Sequence, residues 1–387
     1  MKIHTAILLA LSASWNSAKA DIHTKNTNEE HTMNMMTQVV KDYHLPSFSV
    51  AIGIGDNVVF AEAVGYADIE NNRFANIETQ YSVGSLAKPM TGLALAKLVD
   101  SGKVHLDDKV SKYLSNPAYT NLFTVKELAS HIAGVPHDTK ERDVAEFDAP
   151  RNHESPFDAF HVFESHPLLF APGTDYKYSS NGYILLSAVI QQSAGMSYVE
   201  YLKESLWSPF NMSHTEHDTS LAGKEHEASY YAERRNDGTY TRATAQRDRS
   251  FLFGGGGFLS TPSDLVKMAQ ASYDNNYLAN TSRKALFEPA KLRSGEANPG
   301  KYSLGWRVGK IKLDEANKGS WTALHHGGVT DKASTAYLLV IPECQASIAF
   351  ASNYVPDKFW KIRGIAGRAL KKYIPAGSCS KLTKPSS

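Results

Sequence analysis

The sequence predicts an α+β fold, and three observations carry that prediction. Strand-like segments occupy both ends of the chain, helix-like segments fill its middle, and no internal repeat divides it. The terminal strands would form one mostly antiparallel sheet from residues about 30–84 and 302–373. A mainly helical region, residues about 85–301, would be inserted between them. With 387 residues, 42% of them hydrophobic, the chain can bury a large core as one domain or two intimate ones.

Each element has its own signal. Residues 30–43 place Met33, Met36, Val39 and Val40 on one helical side. Phe48 to Ile54 and Val58 to Tyr66 read as strands joined by the hairpin turn Gly55-Asp56-Asn57. Ser82 to Ser101 reads as a helix whose apolar run, Leu93 to Val99, is closed by Gly102 at the C′ position. Leu106 to Leu114, Thr124 to His131, Phe160 to Phe170, Gly182 to Gln192, Tyr198 to Trp207 and Pro262 to Tyr273 are helical by pattern. Residues 137–157 are charged and read as an exposed excursion, and 213–250 are polar and irregular. Leu304 to Val308, Thr335 to Ile341 and Ser347 to Asn353 are β-rich, and Lys358 to Tyr373 makes a final helix. Residues 374–387 read as a disordered Ser/Lys/Pro-rich tail.

A formal net charge of +1, with no basic cluster interleaved with aromatics, excludes a general electrostatic case for nucleic acid. Residues 1–20 read as an export leader: Lys2, an apolar Ala6 to Leu11, and the small-x-small site Ala18-Lys19-Ala20. That apolar run is too short for a membrane anchor. The mature chain would begin near Asp21, in the periplasm or outside the cell. In such a compartment Cys344 and Cys379 either form one disulfide or remain two thiols. No Cys/His spacing of metal type occurs, so no metal or other cofactor is expected.

Three stretches carry chemistry. In the first, Ser85 and Lys88 lie three apart at the opening of a helix, hence on one face. A Ser hydroxyl is a poor nucleophile until a neighbouring base takes its proton, and a Lys on a buried helix is such a base. The N–H of Ser85, near a helix start, can face a developing oxyanion. In the second, Tyr178 and Ser180 alternate around Ser179, so an extended chain projects a phenol and a hydroxyl together. In the third, His325 and Gly327 share one side of a strand, and Gly327-Gly328 lets a ligand approach the backbone.

Ser85-x-x-Lys88, Tyr178-x-Ser180 and His325-x-Gly327, in this order, resemble the motif set of the serine β-lactamase and penicillin-binding protein superfamily. The branch resembled is that of the class C β-lactamase-like serine hydrolases, which includes the mitochondrial serine β-lactamase-like protein. Residues 128–136, 256–265 and 302–306 agree with it, and the resemblance spans roughly residues 30–373. It implies a β-lactamase/transpeptidase-like fold over 21–373 and an acyl-enzyme on Ser85. Lys88 and Tyr178 would move protons, and the N–H groups of Ser85 and Gly328 would form the oxyanion hole. Ser180, His325 and Gly327 would meet a small-molecule or peptide substrate, with a cell-wall peptide as one option.

Two positions depart from the family pattern. Ser180 stands where β-lactamases of this class carry Asn, and Asn181 comes one residue too late to replace it. His325 stands where Lys is usual, and a neutral His offers no fixed charge to a substrate carboxylate. Both departures favour an esterase or peptidase over a strong β-lactamase. A D-Ala-D-Ala-type carboxypeptidase, a weak class C-like β-lactamase and a non-catalytic scaffold are the competing readings. Gly254 to Gly257 lacks the Lys-Ser/Thr of a phosphate loop and reads as a tight turn near the cleft. No Gly-x-Ser-x-Gly elbow centres on a plausible nucleophile. His131 and His161 read as packing or surface residues, and the sequence gives no oligomeric state.

Overall fold

The computed structural model describes residues 27–116, 118–141, 152–219, 225–243, 248–313, 319–330 and 333–380. The leader expected at 1–20, residues 142–151 of the charged excursion and 381–387 of the tail lie outside the described residues. Among the described residues, no helix is long and apolar enough to cross a membrane.

The chain opens with helix α1 (27–43), then the hairpin β1 (Ser47–Ile54) and β2 (Asn57–Asp68), short strands β3 (Arg73–Phe74) and β4 (Tyr81–Ser82), and helix α2 (Ala87–Asp100). The middle holds α3 (Val125–Ala129), α4 (Ser180–Ala194), α5 (Tyr198–Leu202), β5 (Glu216–His217), β6 (Tyr231–Arg234), β7 (Tyr240–Arg242), β8 (Phe258–Ser260), α6 (Pro262–Gln270) and α7 (Asn280–Phe287). Strands β9 (Arg307–Ile311), β10 (Trp321–Thr330), β11 (Ser334–Ile341) and β12 (Ala346–Ser352) and helix α8 (Phe359–Lys371) complete it. The large sheet runs β3-β2-β1-β12-β11-β10-β9, with its ladders antiparallel. It therefore joins the two chain ends through β1 and β12, as the strand pattern predicts.

Both faces of this sheet are covered, and the period of two decides what goes where. On β11, Tyr337, Leu339 and Ile341 join Phe48, Val50, Ile52, Ile348 and Phe350 under α1 and α8. Ala336, Leu338 and Val340 join Ala51, Ala349 and Ala351 on the opposite face, with α2 and α6. The small side chains on that face let α6 lie close to the strands; a Cβ on Gly53 would sit 3.3 Å from Val266 Cβ.

Helix α2 is the central element, and most of its residues are buried. A helix apolar nearly all round belongs inside a core. Its Gly92 admits the 302–306 loop: a Cβ there would lie 2.1 Å from Leu304 O. It ends as predicted, with Gly102 left-handed at φ +71°.

Several boundaries differ from the sequence reading. Ser82 does not open the helix; it pairs with Leu259 in β4–β8, a 3-10 turn follows at Gly84–Leu86, and α2 starts at Ala87. The apolar period of Leu106 to Leu114 yields only a 3-10 turn at Val110–Lys112. The helix expected over Phe160 to Phe170 is a 3-10 segment at Pro156–Val162, followed by turns around Pro167. The supposedly irregular 213–250 region contains β5, β6 and β7. Residues 374–380 of the expected tail are described: Cys379 is bonded to Cys344, and Ser380 N–H donates to Glu343 O at 2.9 Å.

Candidate active site

The nucleophile turn is clamped before any chemistry begins. Val83 N–H donates to Phe258 O at 3.0 Å, Ser82 Oγ lies 3.1 Å from Thr330 Oγ1, and Ser334 Oγ donates to Ser82 O. These bonds tie the 3-10 turn that carries Ser85 to β8, β10 and β11. Gly84 permits the turn, with φ +50° and Val329 O crowding its Cβ position at 3.2 Å.

Lys88, in the first turn of α2, is completely buried. Its Nζ lies 3.2 Å from Ser85 Oγ, 3.0 Å from Ser180 Oγ and 2.6 Å from Gly255 O. A buried amine needs such partners, since an unpaired one is costly. Gly255 belongs to the glycine run, which is the tight turn the sequence suggests; Phe253 there has φ +40° and ψ −125°. The Tyr178 ring centroid lies 4.6 Å from Lys88 Nζ. The structure thus brings Ser85, Lys88, Tyr178 and Ser180 together.

Helix α4 presents Tyr178 and Ser180 from its N-terminal end. Ser179 is the N-cap, accepting from Gly182 N–H at 2.9 Å. The next orphan donors go to imidazoles: Ser179 N–H to His131 Nδ1 at 3.2 Å and Ser180 N–H to His137 Nδ1 at 2.9 Å. His131 is buried at φ +62°, and its ring centroid lies 4.5 Å from that of Tyr178 and 4.4 Å from that of Tyr302. Burial first, then the Lys88 charge, pushes its pKa well below the ordinary value, so the ring is neutral. The sequence reading takes His131 as a packing or surface residue and misses that it holds the Tyr178 segment. Asn181 does not enter the site; its Nδ2 donates to Pro136 O at 3.0 Å and His137 O at 3.3 Å.

Ser180, expected against substrate, also contacts the buried amine. Its hydroxyl is buried beneath Lys88 and donates to Gly255 O at 3.4 Å. It forms part of the amine's surroundings.

The third motif folds as strand β10, and its register puts His325 and His326 on opposite faces of the sheet. His326 pairs with Leu338 and Gly328 with Ala336, both on the α2 side of the sheet. His325 and Gly327 pair with Leu339 and Tyr337, on the α8 side. The imidazole beside Lys88 and Tyr178 is therefore that of His326, with its centroid 6.1 Å from Tyr178's. Burial, with Lys88 second, holds its pKa well below the ordinary range. Gly327 O can only accept, so His326 Nδ1–H donates to it at 2.8 Å; Nε2 then accepts from Tyr302 O–H, also at 2.8 Å. His325 lies at the cavity rim, where burial and the Arg363 and Arg307 charges lower its pKa to about 4.

The two glycines also serve the fold, and Gly327 lines the cavity described below. A Cβ on Gly328 would meet Val83 O at 1.9 Å and Ser85 N at 3.3 Å, and one on Gly327 would meet Trp360 Cζ3 at 2.8 Å. Gly328 thus lets β10 press against the nucleophile turn, which brings the two strips of backbone side by side.

A cavity of about 760 Å³ opens over this cluster, lined by Ser85, Tyr178, Arg307, His325, His326, Val329, Trp360 and Arg363 among others. A hydroxyl at its floor, a buried amine behind and a phenol alongside are the parts of a serine acyl-transfer site. The family model for beta-lactamase matches residues 33–369. The chain belongs to the beta-lactamase family.

This is a family of serine hydrolases, and the relatives of this beta-lactamase-family chain share its fold. A penicillin-binding protein of Bacillus subtilis is 25% identical over 72% of this chain and 63% of its own length. The chain thus spans less than two thirds of that relative. The human mitochondrial serine beta-lactamase-like protein LACTB is 23% identical over 85% of this chain and 74% of its own. Among solved structures, a penicillin-binding protein from Bacillus halodurans superposes with a TM-score of 0.71 at 20% identity, covering 86% of this chain and 98% of that one. The D-amino acid amidase from Ochrobactrum anthropi SV3 gives 0.72 at 19% identity, covering 88% and 97%. The beta-lactamase-family chain is therefore a hydrolase of the α+β class that its motifs imply.

Proposed function

We propose that the protein cleaves esters or amides of small or peptide substrates through an acyl-enzyme on Ser85. The observation that carries this reading is Lys88 Nζ, buried, 3.2 Å from Ser85 Oγ. In the proposed cycle Ser85 Oγ attacks the substrate carbonyl carbon while its proton passes to Lys88. The N–H of Ser85 and the β10 backbone at Gly328 stabilise the oxyanion. The bond to the leaving group then breaks, and that group takes a proton through Tyr178. Water attacks the acyl carbon by the reverse route, which frees the acid and restores Ser85.

The buried Lys88–Ser180–Gly255 contact makes Ser180 part of the proton relay in this reading, and neutral His326 orients Tyr302 behind Tyr178. Short-chain ester cleavage is expected to exceed nitrocefin hydrolysis, because no Lys stands at 325 or 326. A second reading is an amidase or carboxypeptidase acting on D-amino-acid substrates, including cell-wall peptides. It is favoured by the fold shared with the D-amino acid amidase. Export through residues 1–20, and a division into a sheet subdomain (about 30–84 and 302–373) and a helical one (about 85–301), complete the proposal.

The deciding experiment is intact-mass detection of an acyl adduct after exposure to a p-nitrophenyl ester, with the adduct mapped by digestion. An adduct on Ser85, abolished in Ser85→Ala, is expected. A folded wild-type chain that never acylates, or a Ser85→Ala variant with undiminished turnover, would overturn the reading in favour of a scaffold.

A further inference from the structure

We propose that His153 is a positioning residue for the proton relay: with Asp248 and Ser250 it fixes the turn whose Gly255 carbonyl holds Lys88. This rests on the acyl-enzyme reading of Ser85. All three side chains are buried, and a buried polar network is rigid only while each member keeps its partners.

Asp248 and Ser250 form a small turn of their own. Asp248 Oδ1 accepts Ser250 N–H at 2.9 Å and the Ser250 hydroxyl at 2.5 Å. His153, 97 residues earlier in the chain, closes this turn from outside. Its backbone N–H donates to Ser250 Oγ at 2.8 Å, and its Nδ1 lies 3.2 Å from Asp248 Oδ2 and 3.1 Å from Ser250 Oγ. The carboxylate can only accept, and the hydroxyl hydrogen is already committed to it, so Nδ1 carries the proton. A second histidine holds the same residue from β5. His217 Nε2–H donates to Ser250 O at 2.9 Å, and its ring stacks on that of Phe253 with centroids 4.7 Å apart.

The turn needs such anchors. Ser250 opens the 3-10 segment that ends at Gly255, and inside it Phe253 stands at φ +40° and ψ −125°. A residue with a Cβ stays in that region only where its neighbours over-determine it. On the far side Gly254 N–H donates to Ser187 Oγ at 3.1 Å, which ties the turn to α4. The His153 cluster is the anchor on the near side. Once it is released, Phe253 can relax and carry Gly255 O from its place 2.6 Å from Lys88 Nζ. His153 thus acts on the amine through the backbone of the turn and touches neither Lys88 nor substrate.

His153→Leu removes the Nδ1 donor, whereas His153→Asn returns an amide N–H close to the same place. Steady-state hydrolysis of a p-nitrophenyl ester, beside a thermal melt, compares both with wild type. In His153→Leu kcat is expected to fall about tenfold with KM nearly unchanged, and His153→Asn should recover most of the loss. In a Gly255→Ala background His153→Leu should cost less than about twofold more, because both changes act on one contact. Ser250→Ala, expected to lose kcat in the same way, carries the comparison if His153→Leu fails to fold. Full kcat in His153→Leu, even with a lowered melt, would overturn the positioning role and leave the Ser85 reading intact. So would losses from His153→Leu and Gly255→Ala that multiply. A wild type that never acylates would overturn the Ser85 reading, and crystal structures of wild type and His153→Leu would then decide the placement. A longer Lys88 Nζ–Gly255 O separation in the variant supports it, and an unchanged one would sink it.

Discussion

The Nζ of Lys88 lies 2.6 Å from the carbonyl oxygen of Gly255. This contact joins the first turn of the buried helix α2 to a glycine turn 167 residues later in the chain. It fixes the amine's position independently of Ser85. A carbonyl can only accept, so one amine hydrogen is always committed there. Ser85 Oγ and Ser180 Oγ also lie within hydrogen-bond reach of the amine, at 3.2 and 3.0 Å, which is an arrangement a proton relay can use.

Gly255→Ala tests that anchor. The added methyl would lie 2.8 Å from Ser180 O and 3.2 Å from Ser180 Cβ. Backbone cannot yield cheaply, so the turn must move and carry its carbonyl from Lys88. A displacement of this order costs about 10- to 100-fold in kcat. The measurement is steady-state ester hydrolysis beside a thermal melt. A variant with full kcat and an unchanged melt would show that the Gly255 contact is dispensable.

Ser180→Ala separates two roles for one residue. A residue touching substrate would raise KM when truncated. The structure buries this hydroxyl against Lys88, so kcat should fall about tenfold with KM nearly unchanged. The kcat and KM of Ser180→Ala on one short-chain ester decide it; a KM effect with kcat intact returns Ser180 to the substrate.

Acid should destabilise the fold through its buried imidazoles. His325 falls to about 4 in the folded chain, through burial and the Arg363 and Arg307 charges, from 6.5 unperturbed. Between those values the unfolded chain binds more protons than the folded one, so stability rises with pH across that window. Stability from this group is therefore complete above about 6.5 and drains away as pH falls toward 4. His131 and His326 shift in the same direction. Urea midpoints at neutral pH and near pH 5 should differ markedly in wild type and less in His325→Gln. Equal pH slopes in the two proteins would remove His325 from the account.

What the sequence makes legible follows from the range of the interactions involved. Ser85 and Lys88 are three residues apart on one turn, so local geometry alone joins them. The β1–β2 hairpin and the Gly102 cap are likewise local. The register of β10 is not: whether 325 or 326 faces Lys88 depends on the ladder with β11, and a one-residue slip reverses every side chain. His325 and His326 are chemically identical neighbours, so the strand pattern cannot choose between them. His131 escapes because its partner, the N–H of Ser179, lies 48 residues away. Lys88's contact with Gly255 O spans still more, and a carbonyl leaves no mark in the sequence.

The last expectation concerns the bond between Cys344 and Cys379, which are 35 residues apart. The loop it closes contains β12 and all of α8. That helix sets Trp360 and Arg363 against β10. At the other end, Glu343 accepts Thr322 N–H at 3.0 and 3.1 Å near the start of β10, and its carbonyl accepts Ser380 N–H. The bond thus closes a belt around one edge of the cavity. Closing a loop of this length in the unfolded chain stabilises the fold by about 4 kcal/mol on chain-entropy grounds. Cys344 is almost fully buried, so Cys344→Ser would add a buried hydroxyl to the effect. Cys379→Ser is the cleaner variant, because Cys379 is only partly buried. Its urea midpoint should drop to that of reduced wild type, while added reductant leaves the variant unchanged. A wild-type midpoint indifferent to reductant would mean that the bond contributes nothing to the belt.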